Sequence, residues 1–351
     1  MNESHFPSSL GYTMPAEWEP HAATWLNWPH NNETWLNQDM SRIEEAYLEI
    51  IRALIPGEQV HMLVQDQVAH QKISALLAGN NMDTDSVHLH IIPTDDSWIR
   101  DYGPNFLVRL TPGGREVACN KWNFDSWGGK YDWDKDNAAG GAIAGKLNIP
   151  RFDPGIVLEG GAIEVNGRGI CMTTESCLLN KNRNGGMDRG EMEEYLKNYL
   201  GVKKIVWLNG DLEGDDTDGH IDNLARFVNP TTILCAYEED ASEKNFQCLK
   251  SNLEILNSTT DQDGDLFNVV QLPMPGYVGD RSTRLPASYA NFYIGNQAVL
   301  VPAFGKPSDL PAINIIKQFF PERTVARIPS EILIWGLGSI HCLTQQQPLA
   351  L

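Results

Sequence analysis

SRIEEAYLEIIRALIPGEQVHMLVQDQVAHQKISALLAGNNMDTDSVHLHII, residues 41–92, switches between two periodicities. Ser41 with Glu44 reads as a capping box, and Ile43, Ala46, Tyr47, Ile50 and Leu54 fall on one face of a helix that Pro56-Gly57 stops. Val60–Val64 reads as a strand, Gln67–Ala78 as a second helix and Val87–Ile92 as another strand. The same alternation recurs outward along the chain, at 188–200 then 204–208, at 242–256 then 268–272, and at 312–320 then 324–328. Strand pairs lie between these units, Leu224–Val228 with Thr232–Tyr237 and Ala290–Ile294 with Ala298–Pro302. Helix and strand in regular alternation mark an α/β protein.

No Pro/Ser-rich linker or low-complexity run separates the units, so one continuous domain over residues 1–351 is expected. The chain has 27 Lys and Arg against 46 Asp and Glu, a formal charge of −19. Such a field repels phosphate backbones and anionic lipid and attracts cations, which argues against nucleic acid as a partner. No run approaches the roughly 18–20 apolar residues of a membrane span, and Met1–Met14 lacks the basic start and apolar run of an export leader, so a cytoplasmic setting is expected. Six cysteines without a CxxC pair do not form a disulfide framework in a chain of this length.

Polar residues that look out of place gather at strand-to-loop junctions: Asp95-Asp96 with Trp98, Leu158-Glu159-Gly160-Gly161, Gly219-His220-Ile221-Asp222 and Ile340-His341-Cys342. The markers Asp96, Glu159, His220 and Cys342 are separated by 63, 61 and 122 residues. The last interval is twice the one before it, which suggests a repeating unit of about sixty residues with one unit silent. Asp96 beside Trp98 suits an acid and an aromatic face set against a planar cation, whereas Arg100 and Asp101 read as a local ion pair at a turn. Glu159 stands among apolar neighbours and needs a partner, for which His220 is the candidate. Read as an extended segment, His220 and Asp222 share a face, and His341 points away from Cys342 for the same reason. The 140–146 segment matches GxxxxGK, but Leu147 replaces the phosphate-loop hydroxyl, so a helix is expected there. Asp261–Asp265 reads as a turn rather than a calcium loop.

One thiol, one imidazole and three carboxylates suit a substrate that is itself a delocalised cation. Two carboxylates can grip a guanidinium by paired hydrogen bonds and set its carbon over a thiolate, while an imidazole protonates the departing ammonia and then activates water. Three nearby acids should also hold the thiol above its ordinary range.

The motifs Met14-Pro15-Ala16-Glu17-Trp18-Glu19-Pro20-His21, Asp96-Ser97-Trp98-Ile99-Arg100-Asp101-Tyr102-Gly103-Pro104, Leu158-Glu159-Gly160-Gly161, Thr173-Thr174-Glu175-Ser176-Cys177-Leu178-Leu179-Asn180-Lys181-Asn182-Arg183-Asn184, Gly219-His220-Ile221-Asp222-Asn223 and His341-Cys342-Leu343-Thr344-Gln345-Gln346-Gln347-Pro348 together resemble the agmatine deiminase family, which includes the bacterial peptidylarginine deiminase type. The resemblance implies a guanidino-group-modifying pentein, an α/β propeller of five ββαβ modules with pseudo-fivefold symmetry. It implies Cys342 as nucleophile, His220 as general acid and base, Asp96 and Asp222 as guanidinium grips with Trp98 beside them, and Glu159 as the group that orients His220. It implies no metal and no organic cofactor, a small cationic guanidino substrate, and hydrolysis of agmatine to N-carbamoylputrescine and ammonia on the way to putrescine. It leaves a homo-oligomer open. A peptidylarginine deiminase and a non-catalytic guanidinium-binding pentein are the alternatives. Gly336-Leu337-Gly338-Ser339 departs from the family's glycine-rich run, and Trp28–Trp35 and Asn123–Asp136 are the candidate segments for the substrate's far end.

Overall fold

The computed structural model describes residues 6–350, so the start of the Met1–Met14 stretch lies outside the described residues. Five separate sheets repeat one plan, in which a central strand pairs antiparallel with one neighbour and parallel with the next, the parallel step crossing through a helix. Asn105–Thr111, Gly114–Asn120 and Arg151–Phe152 form one sheet, closed by helix Asp134–Leu147. Glu164–Val165, Ile170–Thr174 and Lys204–Leu208 form the next, with helix Arg189–Leu200. Ala225–Asn229, Thr232–Tyr237 and Asn268–Pro273 follow with helix Phe246–Asn257, then Tyr293–Ile294, Ala298–Ala303 and Thr324–Pro329 with helix Asp309–Lys317.

The fifth module joins the two ends of the chain. Gln345–Pro348 pairs antiparallel with His21–Asn27, which pairs parallel with Gln59–Val64 after helix Met40–Leu54. Helix Gln67–Gly79 and strand Val87–Ile91 extend this sheet to four strands. The architecture is therefore five ββαβ units, the pentein fold.

The local causes are those the patterning suggests. Ile43, Ala46, Tyr47, Ile50 and Leu54 are all buried on one face of Met40–Leu54. Its cap is Asp39, which accepts from the Ser41 backbone N–H, so the cap sits two residues before the Ser41 expected from the box. Ala298–Ala303 is buried on both faces, as an apolar run with a parallel neighbour requires. The 140–146 segment lies inside the helix Asp134–Leu147, and Asp261 caps the Asp263 and Asp265 backbone in a turn.

This plan positions the site. In each module a loop leads into the first strand, and the five loops carry Asp96–Asp101, Glu159–Gly161, His220–Asp222, Asn291 and Cys342. The unit that looked silent in the spacing is the fourth, whose loop bears Asn291.

Candidate active site

Gly161 marks where these loops meet. A methyl group built on its α-carbon would lie 2.6 Å from His220 Nδ1, 2.8 Å from Asp101 Oδ1 and 3.2 Å from Asp222 Oδ2. A side chain at this position would displace three functional groups, so glycine is required for close approach rather than for a special φ. The Gly161 backbone N–H donates to Asp101 Oδ1 at 2.9 Å, and Trp127 Nε1 donates to Asp101 Oδ2 at 3.0 Å. His220 Nδ1 is 3.7 Å from Asp101 Oδ1.

Cys342 Sγ lies 3.6 Å from Asp222 Oδ2 and 3.2 Å from Asn291 Nδ2. Asn291 also bonds Asn223 at 3.0 Å and accepts from the His341 backbone N–H at 3.0 Å, which ties the thiol's loop to the His220–Asp222 loop. Residues 340–343 form a turn, and the strand starts at Gln345. Likewise Ile221–Asn223 is a 3₁₀ turn with His220 at its cap, so the extended-strand geometry expected for both segments is replaced by tight turns. His341 consequently joins the same network: its Nδ1 is 2.8 Å from Asp222 Oδ2 and its Nε2 2.8 Å from Glu17 Oε2.

Cys342, Asp96, Trp98 and Asp101 line a cavity of about 900 Å³, while Asp222, Glu159 and His220 are fully buried behind it. Asn31, Glu33 and Thr34 from one expected far-end segment and Trp127, Lys130 and Tyr131 from the other form part of the same wall. Trp98 is buried against Trp35 with ring centroids 5.6 Å apart. Gly336 and Gly338 let it sit there, since a methyl at Gly338 would fall 2.4 Å from the Trp98 ring. Leu337 between them holds a left-handed φ of 70°.

The charges differ from the sequence-based expectation in three ways. The inner acid beside His220 is Asp101, whereas Asp96 stands on the cavity wall, accepting from Thr34 Oγ1 at 2.8 Å and from the Ser97 N–H at 2.7 Å. Arg100 does not pair with Asp101 but reaches Gln346 at 2.7 Å and Glu17 at 3.4 Å. Glu159 is not hydrogen-bonded to His220, whose Nε2 is 4.0 Å away; Arg183 Nε holds it at 2.6 Å, and Arg183 Nη1 holds Asp218 at 2.8 Å. Sequence reasoning missed Arg183 as this partner, although it lies in the run that follows Cys177.

Burial, then Asp222 and Asp101, push the Cys342 thiol well above its ordinary range. The direction matches expectation, with Asp101 in place of Asp96 and burial as the larger cause. Burial and the neighbouring Asp222 and Glu159 hold Asp101 well above the usual carboxylate range. Burial acts on Asp222 in the same sense but is outweighed by the His341 hydrogen bond and nearby positive groups, so its carboxyl falls below the ordinary value. Burial takes His220 down to about 4 and Asp96 up to about 6.

Residues 13–348 match the family model of the Porphyromonas-type peptidyl-arginine deiminases. The chain belongs to that family. Among its relatives, an agmatine deiminase of Medicago truncatula is 36% identical, the match covering 99% of each protein. An agmatine deiminase of Stutzerimonas stutzeri is 36% identical over 97% of each. The solved structure of the agmatine deiminase of Enterococcus faecalis superposes with a TM-score of 0.89 at 28% identity, covering 98% of this chain and 97% of that one. Peptidyl-arginine deiminase family membership thus spans all five modules and every loop of the cluster.

Proposed function

We propose that the chain is an agmatine deiminase, hydrolysing agmatine to N-carbamoylputrescine and ammonia through a covalent amidino-thioether on Cys342. The observation that carries this reading is the convergence of Cys342, Asp222, Asp101 and His220 beneath an acid-lined cavity, in a chain that aligns end to end with agmatine deiminases. Asp101 and Asp222 are the inner grips on the guanidinium. Asp96, Trp98 and the outer acids face the remainder of the substrate. Because Asp101, the His220–Asp222 pair and Cys342 come from three different modules, we read the described residues as one catalytic unit.

The free site holds a neutral thiol and a neutral imidazole. A guanidinium lodged between Asp101 and Asp222 supplies the positive charge that favours ionisation of Cys342, and the thiol proton passes to His220. The thiolate attacks the guanidinium carbon, forming a C–S bond. His220 returns the proton to the departing nitrogen, the C–N bond breaks and ammonia leaves. Water then attacks the amidino carbon with His220 taking its proton, and the C–S bond breaks to release the urea and restore the thiol. The product end is uncharged, so the ionic grip that held the substrate is lost.

The far end of the substrate selects agmatine over arginine. On the cavity wall Lys130 is the basic side chain among the described residues, and it is bridged to Asp216 at 3.6 Å and Asp218 at 3.2 Å. An ammonium meets Glu33, Asp96 and Asp132, whereas a carboxylate meets no free cation. The product is a carbamoylated diamine, so a step toward putrescine in the cytoplasm belongs to the same proposal. No helix among the described residues is long and apolar enough to cross a membrane.

The test is ammonia release from agmatine, free arginine and an arginyl peptide, with Cys342→Ser as the blank. Turnover of agmatine far above the other two is expected. Activity confined to the peptide overturns the substrate assignment, and undiminished activity in Cys342→Ser overturns the mechanism.

A further inference from the structure

A second set of metal-type donors lies behind the nucleophile. Glu159, Cys177 and His220 each offer one ligand atom, and these atoms lie within 4.8 Å of one another. Cys177 Sγ is 3.9 Å and His220 Nε2 4.0 Å from the same oxygen, Glu159 Oε2. All three side chains are fully buried. Neither ring nitrogen of His220 has a hydrogen-bond partner among the described residues, an unusual state for a buried imidazole, and Nε2 is the one beside Glu159 Oε2. Cys177 has no part in the deimination described above.

A thiolate, an imidazole and a carboxylate are the mixed sulfur, nitrogen and oxygen donors that zinc takes in tetrahedral sites, with ligand distances of about 2.0–2.3 Å. Ligand atoms of such a site lie roughly 3.3–3.6 Å apart, so the Glu159 Oε2 pairs at 3.9 and 4.0 Å must close by about half an ångström. Charge also closes. Arg183 and Lys130 face three carboxylates, Glu159, Asp218 and Asp216, and a Cys177 thiolate adds a second negative charge to the one left uncompensated. A divalent ion balances the pair.

We propose that Glu159, Cys177 and His220 form a site for zinc or a comparable thiophilic divalent ion, and that its occupation reversibly inhibits the enzyme by claiming His220. On binding, the Cys177 S–H bond breaks, a metal–sulfur bond forms and the proton leaves to solvent. His220 donates its Nε2 lone pair while Nδ1 carries the ring proton, and nothing is oxidised or reduced. The metal site stands independently of the deiminase reading, and only its inhibitory consequence rests on it.

The experiment uses Co²⁺ as a visible probe titrated into Cys342→Ser, which lacks the nucleophile and reads binding without turnover. One-to-one binding with a thiolate-to-cobalt charge-transfer band is expected, and both are lost when Cys177→Ala is added. With Cys342 intact, zinc slows agmatine turnover and EDTA restores it. Cys177→Ala, with Cys177→Ser as a second variant should the first not fold, keeps its basal turnover while the inhibition constant for zinc rises at least about tenfold. Cobalt binding that survives loss of Cys177, or zinc inhibition unchanged in both variants, overturns the proposal. Cobalt binding as described in a protein that never turns over agmatine would support the site and overturn the deiminase reading alone.

Discussion

Gly161→Ala tests whether the Gly161 junction is the reacting centre. The added methyl would meet His220 Nδ1 at 2.6 Å, where ordinary contact begins at 3.4 Å, and Asp101 Oδ1 at 2.8 Å. One or both groups must retreat by roughly half to one ångström. A shift of about 1 Å in a positioned catalytic group costs on the order of a hundredfold in rate, about 2.7 kcal/mol in the barrier. Overpacking a filled interior destabilises the fold by about 1–3 kcal/mol, which a domain this size withstands. Gly161 does not hold a positive φ, so no backbone strain is added. The assay is steady-state ammonia release from agmatine alongside a thermal melt. Gly145→Ala is the control, because a methyl there meets nothing within 4 Å and replaces a helical glycine. The expected result is a fall of about a hundredfold in kcat for Gly161→Ala with a cooperative melt, and no loss for Gly145→Ala. A kcat within about threefold of the parent would show that the His220–Asp101–Asp222 junction is not where chemistry happens.

Asp101→Asn and Asp96→Asn separate the inner acid from the wall acid: the first lowers kcat by at least about a hundredfold, whereas the second raises KM with kcat nearly kept, and the reverse pattern would restore Asp96 to the inner role. Burial, Asp222 and Asp101 push the Cys342 thiol well above its ordinary range, so its alkylation by iodoacetamide without ligand should rise about tenfold per pH unit from about pH 6 to 8. A flat profile over that range would mean a preformed thiolate. Leu337→Gly relieves a left-handed backbone that costs roughly 1–2 kcal/mol for a branched side chain, so the melting temperature holds or rises; a fall of several degrees would show that packing of the Leu337 side chain outweighs the strain.

Much of the architecture is readable in the chain because its longer elements bury one face. Lys204–Leu208 and Thr232–Tyr237 have the bounds their apolar runs suggest. The strands Arg151–Phe152, Glu164–Val165 and Tyr293–Ile294 are two residues each, too short to carry a period, and they exist through the partners they pair with. The site follows the same division. Cys342, His220, Asp222 and Glu159 stand out because charged or nucleophilic residues interrupt apolar junctions. Asp101 is visible in the sequence but reads there as half of a local pair, since nothing local says that the short helical turn Ile99–Tyr102 carries it inward while Asp96 stays on the wall. Asn291 carries no charge to draw notice, and its loop lies beyond where a sixty-residue period places it.

The two inner acids are driven in opposite directions, and that contrast has a consequence for binding. Asp222 is kept ionised by His341, whereas Asp101 is biased toward its acid form by burial and by Asp222 itself. Neighbouring carboxyls pushed apart in this way take different roles. Asp222 supplies the standing charge that draws a guanidinium in; Asp101 becomes a full partner only by losing its proton once the cation is present. In Cys342→Ser the thiol is removed, so protons released on binding a guanidinium come from the acids. Calorimetry in buffers of differing ionisation enthalpy should therefore record proton release in Cys342→Ser, and binding should tighten as pH rises, because the deprotonated form is the one the cation favours. The release should vanish when Asp101→Asn is added. Binding with no proton release in Cys342→Ser would mean that Asp101 is already ionised in the free site, or never faces the guanidinium at all.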